Sequence, residues 1–315
     1  MSLHPTISAS DVTHYLNSWN PMLSHNIWCD LIQLIQLSRD ANPYNSPNSN
    51  SSPSDIEKVH HSSLMWEEQT GINFPMMYVA SVYLYHFAKH NGCDTFLFAT
   101  RDCCHWFRIF KKLFPEANSH LFNCSRNMLT RAEEQHNVHY MTYLKSLIKT
   151  TPDKVAYVDI HGTCQRILSL FDKEFKTLPY CFLLSASYRQ YVEFPSICQR
   201  AHSENKLVNV VFDARGTPIE MLNFDVIGTL QNYDARGPIR DPPEYTVKHL
   251  EAYHCCIQYL LNQMKPWNKA IPRSIRKKEK LFDMDEMLFL IRRIYRVIQD
   301  NKPILNHYIK HPGKH

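Results

Sequence analysis

Several of the signals that place a chain at sight are missing here. No apolar run reaches the roughly 18 residues that a membrane span needs, so no transmembrane segment is expected. The stretch Met1 to Asp11 has no basic region followed by an apolar core, so no secretory leader is read there. A cytoplasmic protein is the expectation. The ten cysteines form no C-x-x-C pair and no regular spacing, and Cys93, Cys124 and Cys181 lie in or beside apolar runs. This excludes a disulfide framework or a zinc site in favour of buried thiols in a reducing compartment. The 18 histidines are equally scattered, with neither H-E-x-x-H nor a Cys/His ligand spacing. Net charge is only +5, and the densest basic stretch, Arg273 to Lys280, is broken by Glu279. A nucleic-acid footprint would be a stronger stripe. There is no internal repeat, and glycine is scarce, with seven in 315 residues.

The composition that remains, 44% hydrophobic and 21% charged, suffices for one large or two modest cores. Ser10 to Leu37 holds two candidate helices, the second with Ile27, Leu31, Ile32, Leu34 and Ile35 at helical spacing. Asn42 to Ser54 is rich in proline, serine and asparagine and reads as a loop. Phe74 to His90 reads as a buried helix ended by Asn91-Gly92. The middle then alternates: strands at 95–100, near 119–124 and at 155–159 lead to helices at 103–114, near 137–149 and at 163–175, with further strands at 180–186 and 207–213. Such alternation predicts an α/β fold, a mostly parallel sheet with flanking helices. Helices are also expected at Val247 to Gln263 and Met284 to Gln299. The expected organisation is an N-terminal helical segment (1–41), a linker or loop (42–57), an α/β phosphate-binding core (58–240) and a C-terminal helical region packed on it (241–315).

Three short polar clusters each follow an apolar strand-like run: Thr100-Arg101-Asp102, Ser125-Arg126-Asn127, and Asp159-Ile160-His161-Gly162-Thr163. In open α/β sheets the carboxyl ends of the strands converge on one crevice, so this is where a polar ligand would sit. Arginine suits phosphate because its planar fork binds bidentately and stays charged. A carboxylate at a strand tip, followed by a glycine turn and a hydroxyl, suits a sugar hydroxyl or magnesium together with a phosphate. The competing reading of Arg101-Asp102 is a helix-capping pair, and that of the Arg126 and Arg131 loop is simple solvation. The doublet Cys103-Cys104 beside His105 admits a cysteine nucleophile at a helix start. Consecutive helix positions diverge by about 100°, however, which favours a buried thiol.

The ordered set of Gly71-Ile72-Asn73-Phe74-Pro75, F-L-F-A-T-R-D, the S-R loop, V-A-Y-V-D-I-H-G-T-C-Q and Ile219-Glu220-Met221-Leu222 with Gly228 and Tyr233 resembles the glycan phosphoribosyltransferase domain of bacterial dual-domain ribofuranosyltransferases. That domain is often found beside a haloacid-dehalogenase-type phosphatase. The resemblance spans roughly residues 66 to 235. Cys103 stands where the family has glycine, Asn127 replaces the second arginine of S-R-R, and the D-x-x-G-T turn is two residues shorter than the family form. No D-x-D phosphatase signature lies in a suitable place.

The resemblance implies an enzyme of polysaccharide biosynthesis that moves phosphoribose from phosphoribosyl pyrophosphate to a glycan hydroxyl, with Mg2+ as cofactor and a separate phosphatase partner. By position, Asp102, Asp159 and Glu220 would be catalytic, with Asp102 and Asp159 also holding magnesium. Arg101, Ser125, Arg126, Arg131, His161, Gly162, Thr163, Gln165 and Arg166 would bind substrate. Two other classes stay open: a sugar-phosphate hydrolase or other transferase in the same crevice, and a noncatalytic phosphate- or nucleotide-binding protein, which the replaced motif glycine favours.

Overall fold

The computed structural model describes residues 25–45, 53–270 and 284–299. The first expected helix, between Ser10 and His25, and the basic stretch at 273–280 lie outside them. The chain divides into two compact units. Of the described residues, one unit comprises those up to Ser81, Arg108–Pro115 and those from Thr246 on; the other comprises Val82–Phe107 and Glu116–Tyr245. Residues 58–81 thus group with the terminal helices rather than with the sheet.

The first unit is helical. Helices α1 (His25–Asp40) and α2 (Pro53–Glu68) lead through a π turn at Gln69–Asn73 into α3 (Phe74–His90), of which Phe74–Ser81 belongs to this unit and Val82–His90 to the second. The proline at residue 53 opens α2 rather than prolonging the loop, as its fixed φ allows at a helix start. The long carboxyl-terminal helices are α10 (Val247–Gln263) and α12 (Met284–Gln299), with the short α11 (Trp267–Ala270) between them. Their bounds match the apolar periodicity. Thr246 begins α10 with a capping box, its hydroxyl accepting from the His249 N–H. A polar knot holds the unit: Ser38, Thr70 and Cys256 are mutually bonded, and the Tyr253 hydroxyl donates to Glu68 at 2.5 Å. Buried polar groups must find such partners to avoid their desolvation cost.

The second unit is built on five parallel strands, β1 (Thr95–Ala99), β2 (Asn118–Phe122), β3 (Val155–His161), β4 (Tyr180–Ser185) and β5 (Leu207–Val211), in the order β2-β1-β3-β4-β5. Helices α4 (Cys104–Leu113), α5 (Arg126–Gln135), α6 (Val138–Leu147), α7 (Gln165–Phe175), α8 (Ser196–Ser203) and α9 (Thr217–Asn223) connect or follow them. Strand β1 is buried along its whole length because both faces of the sheet are covered. On one face Phe96 stacks on Tyr85 of α3 and Phe98 meets Trp106 and Phe107. On the other, Phe122 packs against Tyr140 and Tyr143 of α6 and against Tyr157.

Two elements were not expected. Helix α5 is mostly polar and buries only Met128, Leu129 and Ala132, so it carries little apolar periodicity. The antiparallel hairpin β6 (Leu230–Asp234) and β7 (Gly237–Arg240) turns at Gly237, whose φ of +116° favours glycine. Its Tyr233 stacks on Tyr143 with ring centroids 4.8 Å apart. No helix among the described residues is long and apolar enough to cross a membrane.

Candidate functional site

Strand order reverses between β1 and β3: the chain moves outward from β1 to β2, then crosses back to β3, β4 and β5. Neighbouring crossover connections diverge at such a point, leaving a crevice at the carboxyl ends of the two central strands. The first polar cluster follows β1 and the third ends β3. The second, after β2, runs alongside the first: the Cys124 N–H donates to the Thr100 hydroxyl at 3.2 Å and the Thr100 N–H to the Phe122 carbonyl at 3.0 Å. The three clusters therefore occupy the carboxyl ends of three adjacent strands.

Strand β3 continues to His161, two residues past the expected end, so Asp159 lies within the strand rather than at its tip. Period-two alternation puts Tyr157, Asp159 and His161 on one face. The Tyr157 hydroxyl accordingly donates to Asp159 Oδ2 at 3.2 Å, while the Ile160 N–H donates to Oδ1 at 2.9 Å. Burial and the neighbouring Asp102 nevertheless raise Asp159 to about 7. Asp102 is raised too, by burial against the opposing pull of Arg101.

Glu220 is the third member. It lies in the first turn of α9, which packs against β3, and is half-buried. Its carboxyl accepts no hydrogen bond among the described residues, and burial together with the charges of Asp102 and Asp159 raises it to about 8. A surface glutamate would show none of this. Burial, reinforced at Asp159 by the charge of Asp102 and at Glu220 by the charges of both aspartates, thus favours the protonated forms of these three carboxyl groups at the carboxyl end of the sheet.

Arg101 supplies the opposite charge. Its Nε lies 3.4 Å from Asp102, its Nη1 donates to Glu244 at 3.0 Å, and its guanidinium covers the Phe224 ring at 4.7 Å. Glu244 is 54% exposed, so that pair is one a stronger anion can displace at little cost. Sequence gives no hint of Glu244 or Phe224, which come from elements more than a hundred positions away. Tyr157, two positions before Asp159, was legible from strand period.

The remaining expected residues divide. Gly162 adopts φ +148° and its N–H donates to the Ser185 carbonyl. Helix α7 begins at Gln165, two residues later than expected, and Thr163 is not its first residue: the Thr163 hydroxyl accepts from the Gln165 N–H at 3.3 Å. Ser125 caps α5, accepting from the Met128 N–H and donating to the Leu230 carbonyl. Arg126 is exposed at the start of α5, and no bond joins it to the carboxyl cluster among the described residues. Arg131 donates to the Gln231 carbonyl and Arg166 lies 3.8 Å from Glu133; both bonds link helices and hairpin on the outside of the unit. The His161 ring is held by Ser185 and Ser187, while its backbone N–H is one of the groups that bond the Asp159 carboxylate.

The magnesium expectation meets a poor fit. Both Asp159 oxygens already accept protein hydrogen bonds and Asp102 is paired with Arg101. No group of three His, Cys, Asp or Glu residues among the described residues is placed to hold a metal ion. The cysteine-nucleophile alternative also fails: Cys103 precedes α4, is fully buried, and burial pushes its thiol well up.

No protein-family model and no curated protein matches the chain.

Proposed function

We propose that the carboxyl end of the sheet transfers phosphoribose from phosphoribosyl pyrophosphate to a glycan hydroxyl. The observation that supports this reading most is the convergence of Asp102, Asp159 and Glu220 beside Arg101 at the strand-order reversal. A base is most effective when its pKa lies near the working pH, and Glu220, raised to about 8, acts through its ionised form, which grows as pH rises toward 8, without any protein partner to give up. It receives the proton of the acceptor hydroxyl as that oxygen bonds to the anomeric carbon. The bond from that carbon to the diphosphate breaks in the same step, and the diphosphate leaves with the electron pair. Arg101 meets the growing negative charge on the leaving group, exchanging Glu244 for it. Asp159, fixed by Tyr157 and Ile160, orients the ribose hydroxyls. Fixed charges and positioning of this kind are the main sources of rate when the transition state is oxocarbenium-like. Any magnesium enters with the donor's diphosphate, and no step above depends on it.

The test is pyrophosphate release with phosphoribosyl pyrophosphate and a panel of glycan acceptors. The wild type is expected to release it, and Glu220→Gln to lose release by about a hundredfold or more while keeping the donor-induced rise in Tm. Release of inorganic phosphate without an acceptor would replace this reading with a hydrolase. Neither release nor donor-induced stabilisation in the wild type would replace it with a noncatalytic binding protein.

A further inference from the structure

At the carboxyl end of β4 a second arrangement, built on the His161 ring two residues along β3 from Asp159, serves no role in the transfer described above. His161 Nδ1 lies 2.9 Å from Ser185 Oγ and its Nε2 lies 3.0 Å from Ser187 Oγ. The register of the sheet creates the first contact, because His161 and Ser185 are paired neighbours on β3 and β4. Ser185 is fully buried and its hydroxyl donates to the Ile160 carbonyl at 3.0 Å. With its single proton spent there, Ser185 accepts, and Nδ1 carries the ring proton. Nε2 is then the acceptor, and the exposed Ser187 hydroxyl donates to it. Burial lowers the His161 pKa, which keeps the ring in the neutral form this pattern needs.

The ring is also fixed from the side. Gly216 is buried against it: a Cβ at that position would fall 2.2 Å from the His161 Cγ and 2.5 Å from its Cδ2. Only a residue without a side chain leaves room for the imidazole in this orientation.

We propose that Ser187 is a nucleophile activated by His161, with Ser185 as the residue that orients the base, in a site for acyl esters. A hydroxyl bonded to a base that a third group orients is the general requirement for nucleophilic catalysis. The Ser187 oxygen attacks the ester carbonyl and its proton passes to His161 Nε2. The imidazolium returns that proton to the departing alcohol, leaving an acyl-serine. Water, giving a proton to the same nitrogen, then hydrolyses the acyl-serine to the carboxylic acid and restores Ser187. The orienting group is a neutral hydroxyl rather than a carboxylate, so the imidazolium gains less stabilisation than in a triad with aspartate. That limits the site to esters with good leaving groups and argues against amides.

The full-length protein is treated with a fluorophosphonate probe and, separately, with p-nitrophenyl acetate. The expected result is a single label on Ser187 in peptide mass spectra and ester hydrolysis that falls by about a hundredfold or more in Ser187→Ala. His161→Gln, and Gly216→Ala as a variant that displaces the ring without removing it, are expected to lose both signals. A wild type that takes no label, a label on another residue, or a Ser187→Ala protein that hydrolyses the ester at the wild-type rate would overturn the proposal. A Ser187 label that survives both His161→Gln and Gly216→Ala would remove His161 as the base.

Discussion

At Asp159 the hydrogen bonds and the charges oppose one another. Tyr157 and Ile160 donate to the ionised form, yet burial and Asp102 outweigh them and raise the group from 3.8 to about 7. A carboxyl raised by folding keeps its proton in the native state after the unfolded chain has lost it. Stability therefore falls as pH rises from the ordinary carboxylate range through about 7, and flattens above that. Asp159→Asn removes the penalty while its volume is kept, and the Tyr157 hydroxyl can turn to accept from the new amide. The expected outcome is a Tm above wild type at pH 8, the difference shrinking as pH falls through 7 and vanishing only below about 4, where the aspartate is protonated in the folded and the unfolded chain alike. For a unit of this size each kcal/mol relieved is about 2–4 °C. A difference that does not vary with pH would show that Asp159 carries no such penalty.

Residue-scale features of this kind were legible only where they were local. The three clusters stood out because charge directly after a buried apolar run has few structural explanations. Tyr157 was available from strand period as well. Glu244, Phe224 and Ser187 were not, since nothing near them in the chain marks them, and only the path of the backbone brings them to Arg101 and His161.

Among elements, α5 shows how one hydroxyl joins two pieces that sequence did not connect. Ser125 Oγ accepts from Met128 N–H at 3.1 Å and donates to the Leu230 carbonyl at 2.6 Å, tying the start of α5 to β6. Ser125→Ala loses a cap worth about 1 kcal/mol and leaves a carbonyl short of a bond worth about 1 kcal/mol more. Urea unfolding is expected to show a loss of about 2 kcal/mol with an unchanged m-value; a loss within about 0.5 kcal/mol would mean water replaces the hydroxyl on both sides. The strands were easier to read than α5 for a physical reason. A strand covered on both faces, as β1 is, must be continuously apolar, whereas α5 buries three side chains and exposes the rest. Helix α10 lies between: its expected bounds, Val247 to Gln263, are those of the structure, and the Thr246 cap agrees with them.

For the whole molecule, the parallel sheet with helices on both faces followed from the alternation of patterns, but the grouping of the chain did not. Sequence suggests segments laid end to end; the units instead interleave, with Arg108–Leu113 of α4 belonging to one and Cys104–Phe107 to the other. Composition carries no trace of this, because both portions of α4 bury apolar side chains.

That interleaving sets an order of events on the ribosome. All strands of the sheet have emerged once Tyr245 clears the exit tunnel, whereas α1 and α2 must wait for α10, which brings Cys256 to Ser38 and Thr70, and Tyr253 to Glu68. The first helices made are thus among the last to be secured, and they spend most of translation with their apolar faces uncovered. Nascent chains stalled just after Tyr245 emerges are expected to yield a protease-resistant fragment containing the sheet while α1 and α2 are cut; chains stalled after α10 emerges are expected to protect both. Equal protection at the two stalling points would show that the early helices need no late partner.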